Sequence, residues 1–276
     1  MAVEHALLEN DLETRDIRIK NLKEDLLDDR ISVCGDEQPV EQSAIQKGIM
    51  EKKHWLRNML KESGPPSKIL YVDDKPVGQI LYLPESSIPF LKNPDPRTLH
   101  VRCSFVHLAQ QGKGHGKALF NSVVNDPKVK GNYDRLETVS FDPPGCGLSQ
   151  TAFWKRMGFK ERPEGKPHEL EYPLQGGLTR PRKNNPKPVK EKGVKIFYEP
   201  TCIFVHQFND KIAEAVTAVD PNVSVEMVNM WEKPEEARSR GLIQGCVYIN
   251  GNPLRHSIFE GEEFKNEART LLNLKN

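Results

Sequence analysis

Apolar residues in the first part of the chain follow helical spacing in some stretches and alternate in others, which predicts a mixture of helices and strands. The longest helical pattern covers residues 43–62, where Ser43 is a suitable N-cap and Gly64-Pro65-Pro66 ends the helix. Shorter helices are predicted over residues 116–125 and 149–157. Strands are predicted over residues 16–20, 69–72, 77–83, 99–107, 135–141 and 168–174. This order of elements predicts a mixed α/β domain over residues 1–174.

A second pattern of the same kind covers residues 194–276. Strands are predicted over residues 194–198, 223–230, 247–249 and 253–258, and helices over residues 204–219, 234–240 and 264–272. The order β-α-β-α-β-β-α predicts a small sheet with helices packed on it. Residues 175–193 are rich in proline and basic side chains, which predicts a solvated linker between two domains.

Composition narrows the class of protein. The chain has 276 residues with a net charge of +1, so no global field steers it toward nucleic acid or a membrane. The acidic N-terminus and the lack of a long apolar run predict a cytoplasmic protein without a membrane segment. Its cysteines form no CxxC pair, so neither a disulfide framework nor a metal site is predicted. The cysteines are Cys34, Cys103, Cys146, Cys202 and Cys246.

The clearest chemistry lies in the strand-loop-helix stretch at residues 111–119 (QGKGHGKAL). A diphosphate needs backbone N–H donors at the start of a helix, and the helix dipole favours its negative charge. Gly112, Gly114 and Gly116 let the backbone approach the phosphates, and Lys113 and Lys117 add positive charge. The third glycine is misplaced for a dinucleotide-binding turn, and the residue after Lys117 is not the Ser or Thr of a P-loop.

Residues 105–119 (FVHLAQQGKGHGKAL) resemble the acetyl-CoA-binding motif of the GNAT acetyltransferases, which is Q/R-x-x-G-x-G/A after a strand. Residues 153–159 (FWKRMGF) are similar to that family's last helix and its Gly-Phe ending. Leu108 and His115 depart from the usual proline and apolar residue. The resemblance implies a mixed antiparallel and parallel sheet with helices on both faces, acetyl-CoA as co-substrate, and acetyl transfer to an amine of a small molecule or protein. It also implies that acetyl-CoA is held by Phe105, Val106, Gln111, Gly112, Lys113, Gly114, His115, Gly116 and Lys117.

The catalytic groups are less well defined than the cofactor loop. Trp154 occupies the position where many members of the family carry a tyrosine that acts as the general acid, and an indole cannot protonate a leaving thiolate. Ser149 acting through water is one candidate acid, and the alternative is that no side chain takes this part. Glu137 and His107 are candidate bases, and each is also compatible with a structural role. The acceptor amine is not identified by any charge pattern.

Residues 194–276 resemble a thioredoxin-like domain, and its position after a GNAT domain resembles the YoaP-type acetyltransferases. Cys202 is predicted at a helix N-terminus, where the dipole lowers the pKa of a thiol. Val205 stands where a second redox cysteine would be, so the usual dithiol motif is absent. The resemblance places a cis-proline opposite the reactive thiol, in the loop where this chain has Cys246 and no proline. Cys202 and Cys246 are therefore a candidate thiol pair, and the alternative is two unrelated thiols.

Three functions remain open on the sequence. The leading hypothesis is an acetyl-CoA-dependent N-acetyltransferase. The second is a thiol-based redox or soft-metal sensor whose acetyl-CoA-binding domain is catalytically weak. The third treats residues 194–276 as an adaptor that docks a protein substrate or forms a homodimer.

Overall fold

The computed structural model describes residues 16–35, 43–140, 149–162, 168–175 and 186–273. The strands in these residues are β1 (Ile17–Asn21), β2 (Ser67–Val72), β3 (Lys75–Pro84), β4 (Thr98–Val106), β5 (Arg135–Val139), β6 (Lys160–Glu161), β7 (Glu169–Pro173), β8 (Val194–Tyr198), β9 (Val225–Asn229), β10 (Cys246–Ile249) and β11 (Asn252–Pro253). The α-helices are α1 (Leu27–Gly35), α2 (Ser43–Glu62), α3 (His115–Val124), α4 (Pro127–Asn132), α5 (Gln150–Arg156), α6 (Val205–Thr217), α7 (Pro234–Ser239) and α8 (Glu262–Asn273).

The first sheet is mixed and has the strand order β1-β2-β3-β4-β5-β7-β6. Its strands pair antiparallel except β4 and β5, which run parallel from the Thr98–Arg135 pair to the Val101–Thr138 pair. Beyond Val101, β4 continues to Val106 and pairs only with β3. The two parallel strands therefore part and leave one edge of β4 open, which confirms the predicted mixed α/β fold.

The second sheet has the strand order β11-β10-β8-β9. Strands β8 and β9 are parallel, whereas β10 is antiparallel to both β8 and β11. The strand predicted over residues 253–258 is wrong for most of its length, because β11 ends at Pro253 and a short 3-10 helix follows at Ile258–Glu260. The Asn250-Gly251 turn itself is confirmed, with both residues at positive φ.

Hydrophobic cores lie on both faces of the first sheet. One face packs against α3 and α5 through buried residues that include Leu119, Phe120 and Trp154. The core on the other face continues without a break from α1 and α2 into the second sheet. At this boundary the rings of Trp55 and Trp231 meet edge to face, with centroids 5.2 Å apart. The two units share one hydrophobic core rather than lying apart.

The boundary between the units also carries charge. Arg102 Nη2 lies 3.4 Å from Glu199 Oε2, and both side chains are about nine-tenths buried. His206 Nε2 lies 3.0 Å from Glu51 Oε2 and connects α6 to α2. Buried pairs of this kind are costly to break because one charge is left without a partner. They fix the second unit on one face of the first.

The end of the predicted linker is part of this assembly. The Lys187 N–H donates to Arg240 O at 3.0 Å, and the Val189 N–H donates to Gly251 O at 2.8 Å. Val189 also packs against the shared core, so this part of the chain is not the solvated spacer that its composition predicts. Residues 176–185 and Cys146 lie outside the described residues. None of the described helices combines the length and apolarity needed to span a bilayer.

Candidate functional site

The glycine loop joins the open end of β4 to the start of α3. Gly112 and Gly114 have φ values of +78° and +83°, which L side chains rarely adopt. A Cβ at either position would meet nothing within 4 Å, so glycine is required here for backbone conformation and not for packing. The helical hydrogen bonds begin with the Ala118 N–H donating to Gly114 O at 3.0 Å. The first N–H groups of α3 therefore point out of the helix toward the loop.

Two side chains of the motif brace this loop. Gln111 Nε2 donates to Val106 O at 3.0 Å and ties the loop to the end of β4. Lys113 Nζ donates to Ala109 O at 2.9 Å, so its ammonium group folds back over the loop. His115 is only 6% exposed, and Lys117 is exposed. The predicted cofactor residues are therefore brought together around one helix N-terminus.

The open edge of β4 forms the second part of the site. Phe105 and Val106 lie on the stretch of β4 that has left β5. From the far side of the gap, Gln150 Nε2 donates to Ser104 O at 3.3 Å. Neither Gln150 nor Ser104 follows from the sequence motif, because a single polar residue at a helix start has no distinctive pattern. Both become visible only when α5 is placed beside β4.

Comparison with known proteins gives this site a family. The family model described as "Acetyltransferase (GNAT) family" matches residues 28–159, which is slightly less than half of the chain and includes the whole loop. Residues 28–159 form a GNAT acetyltransferase domain. No curated protein matches the chain in a sequence search.

Solved structures similar to this chain cover a little over half of it. PH1933 from Pyrococcus horikoshii OT3 is 19% identical with a TM-score of 0.43, over 56% of this chain and 96% of its own. The PaiA N-acetyltransferase of Thermoplasma acidophilum, solved with coenzyme A, is 17% identical with a TM-score of 0.43, over 57% and 99%. A GNAT family acetyltransferase of Brucella melitensis, solved with acetyl-CoA, is 14% identical with a TM-score of 0.40, over 60% and 92%.

The candidate catalytic residues of the acetyltransferase domain lie in different places. Ser149 is the N-cap of α5, and its Oγ accepts the Ala152 N–H at 3.1 Å. His107 directly follows β4, and its backbone N–H donates to Val77 O. Glu137 lies on β5 and pairs with His100 of β4. His100 precedes His107 by seven residues along the chain. At the rise of an extended strand, that separation is roughly 20 Å. Glu137 and His107 therefore do not act on the same atom.

Glu137 belongs to a buried ionic cluster. Its carboxylate lies 3.1 Å from Arg135 Nε and 3.3 Å from Arg162 Nη1, and it is 2% exposed. His100 Nε2 lies 3.7 Å from Glu137 Oε2 and 3.1 Å from Glu85 Oε1. Glu85, His100 and Glu137 are close enough together to hold a metal ion. We assign none, because the two arginines already compensate the charge of Glu137.

Trp154, at the position of the tyrosine acid of many family members, is part of the core of the acetyltransferase domain. It is 1% exposed and packs edge to face against Phe153, with ring centroids 4.8 Å apart. Phe120 and Phe159 also pack against Trp154. A side chain enclosed in this way makes no contact with a substrate, so its role is packing.

The pKa of the Cys202 thiol in the second unit differs from the expected one. Cys202 lies three residues before α6, and burial raises its pKa to about 11, although the sequence predicts a lowered value. The ionisable groups that act on it are Lys52, Cys103 and Cys34. Cys246 Sγ contacts Val247 O at 3.6 Å. None of the four cysteines in the described residues is in a disulfide, and the Cys202–Cys246 pair stays a prediction.

Proposed function

We propose that the protein transfers an acetyl group from acetyl-CoA to a primary amine. The observation that carries this proposal is the glycine loop, in which two residues at positive φ lead into the open N-terminus of α3 within a GNAT acetyltransferase domain. The pyrophosphate of acetyl-CoA would lie against the N–H groups of residues 112–117, where backbone donors and the helix dipole both favour it. The Lys117 side chain, exposed at the same helix start, adds positive charge.

The parted strands supply the place for the thioester. The pantetheine arm would run along the free edge of β4 at Phe105 and Val106, beside the gap that opens after Val101. An N–H group at this edge would stabilise the oxyanion that forms when the amine attacks the carbonyl carbon. Ser149 and His107 are at the rim of the same region, and we propose them as proton carriers through water. The ion pairs of Glu137 favour a structural role for that residue.

The second unit is proposed to be thioredoxin-like. Its order β8-α6-β9-α7-β10-β11-α8 and its sheet order β11-β10-β8-β9 support this proposal. We further propose that the unit supports the acetyltransferase domain and is not a separate dithiol oxidoreductase. The absence of a C-x-x-C pair in the sequence supports that view.

The decisive experiment is calorimetric titration of acetyl-CoA into the full chain and into two glutamate variants. Gly114→Glu introduces a negative charge at the proposed pyrophosphate site and should weaken binding by about 100-fold or more, roughly the size of two lost charge-assisted hydrogen bonds. Gly64→Glu is the matched control. Gly64 has a similar φ of +81° and open space around it, but it lies beyond the end of α2.

The outcomes separate clearly. Wild-type binding that Gly64→Glu keeps and Gly114→Glu loses supports the cofactor site. Release of free CoA thiol in the presence of a panel of amines then supports transfer and identifies the acceptor class. Failure of the wild-type chain to bind acetyl-CoA would remove the proposal.

A further inference from the structure

Two basic side chains are enclosed where the units meet, next to a thiol. Arg30 of α1 is 0% exposed and Lys52 of α2 is 1% exposed. Arg30 Nη1 donates to Cys34 Sγ at 3.0 Å, and Lys52 Nζ donates to the same sulfur at 3.4 Å. Arg30 also donates through Nε to Ser67 Oγ at 2.9 Å. Neither side chain forms an ion pair with a carboxylate among the described residues.

This arrangement requires a negative charge. Taking a cation out of water costs several kcal/mol unless a counter-ion lies beside it. The one acidic group in hydrogen-bond contact with both cations, among the residues described, is the thiol of Cys34. Burial by itself would raise the pKa of Cys34, but the charges and hydrogen bonds of Lys52 and Arg30 lower it to about 7. The C-terminal end of α1 opposes a negative charge, so these two side chains provide the stabilisation.

Two more thiols approach the same cluster from other elements. Cys103 lies on β4, against which α1 packs, and its Sγ accepts a hydrogen bond from Gln79 Nε2 at 3.1 Å. Cys202 lies in the loop before α6, within electrostatic range of Lys52. Burial raises the pKa of Cys103, and the neighbouring charge of Cys34 raises it further. Cys34 is therefore the most easily deprotonated of the three thiols, and the residue is half-buried.

We propose that Cys34 is a nucleophilic thiolate that reacts with peroxides and is resolved by Cys103, so that the protein carries a second chemical site between its two units. In the first step the Cys34 sulfur attacks a peroxide oxygen and the O–O bond breaks. With hydrogen peroxide and one proton, this gives a sulfenic acid at Cys34 and one water. In the second step the Cys103 thiol attacks the Cys34 sulfur, a disulfide forms, and the S–OH oxygen leaves as a second water. Two thiols are oxidised and one peroxide is reduced to two waters.

Reactive cysteines in proteins share the features found at Cys34. They lie in electropositive surroundings with partial access to solvent, and a neighbouring thiol is available to resolve the first product. A purely structural cysteine has no need of two buried cations. This site does not depend on acetyl-CoA, so its test is independent of the proposed transferase activity.

The first test is the pH profile of alkylation of the wild-type chain by iodoacetamide, followed at each cysteine by peptide mass spectrometry. We expect Cys34 to alkylate with a midpoint near pH 7, whereas Cys103 and Cys202 react only at higher pH. A Cys34 midpoint at the ordinary thiol value of about 8.5 or above would overturn the proposal. The folded variant Lys52→Met should move the Cys34 midpoint up by about one unit, since one of its two cations is gone.

The second test exposes the full chain to hydrogen peroxide and maps disulfides without reduction. We expect a Cys34–Cys103 bridge and a mass loss of two hydrogens. Cys34→Ser should abolish the bridge, and Cys246→Ser, which changes a thiol on β10 that takes no part in the proposed steps, should keep it. A bridge that excludes Cys34, or free Cys34 and Cys103 thiols after peroxide treatment, would contradict the assignment.

Discussion

Gly48 lies where the backbones of the two units approach each other closely. It lies on α2 and faces the loop before α6. A Cβ at this position would lie 2.0 Å from the carbonyl oxygen of Ile203 and 2.8 Å from its carbonyl carbon. Ile203 is 0% exposed and belongs to the shared core. The Gly48→Ala variant therefore tests whether the units are joined as a rigid assembly.

The magnitude of the effect follows from two opposing contributions. The new methyl group and the Ile203 carbonyl oxygen must move apart by more than about one ångström, and overpacking of that kind costs about 3 kcal/mol. Replacing glycine by alanine inside a helix stabilises the helix by about 1 kcal/mol, because alanine has the higher helix propensity. We expect Gly48→Ala to lower the free energy of unfolding by about 2 kcal/mol, and the clash should also loosen the contact between α2 and α6.

Urea denaturation followed by tryptophan fluorescence measures this change, because Trp55 and Trp231 lie in the same boundary. Gly131→Ala is the matched control, since Gly131 is also helical but a Cβ there would meet nothing within 4 Å. The control should be as stable as the wild type or up to about 1 kcal/mol more stable. A Gly48→Ala protein that unfolds at the wild-type midpoint would refute the close packing of the two units.

Two further predictions concern the buried charges. Burial is the main cause and the charge of Arg102 the second cause that lower the pKa of His100 to about 3. The neutral ring therefore stabilises the fold above pH 6.5, the pKa of an unfolded histidine, and this stabilisation is lost as the pH falls toward 3. Between pH 6.5 and pH 4 the free energy of unfolding, measured by urea denaturation, should fall by about 3 kcal/mol more in the wild type than in His100→Gln. Equal pH dependence of the free energy of unfolding in the two proteins would contradict the assignment. Arg102→Met leaves the buried Glu199 without its cationic partner and should lower the free energy of unfolding by about 3–5 kcal/mol. The double variant with Glu199→Gln should lose less than the sum of the two single changes, which a double-mutant cycle measures.

Strong local patterns were enough to predict much of the first sheet. The helix predicted over residues 43–62 is confirmed at both ends, because a serine and two prolines flank a long, mainly apolar stripe. The strand that leads into the glycine loop is also confirmed, since its sequence alternates between apolar and polar residues from Leu99 to Phe105. The conformation of the glycine loop depends only on residues that are neighbours in the sequence. Its geometry is local, and so its sequence is sufficient.

Helix α1 was not predicted, and its burial pattern explains why. Its inward face consists of Leu27, Ile31 and Val33 together with Arg30, a charged residue that interrupts the apolar stripe. Arg30 can be buried only because Ser67 and Cys34 accept its hydrogen bonds. Those partners come from the start of β2 and from the end of α1 itself. No periodic pattern within the helix contains this information.

The same reasoning explains why the thiol cluster is invisible in the sequence. Cys34, Cys103 and Cys202 are separated by long stretches and come from three different elements, so no spacing motif connects them. Lys52 lies four residues after Gly48 and thus on the same face of α2, where the second unit packs. A lysine at a helix surface is normally solvated, and it becomes a buried counter-ion to a thiol only once that face is covered. The charge state of Cys34 is therefore a property of the assembled units and not of either one alone.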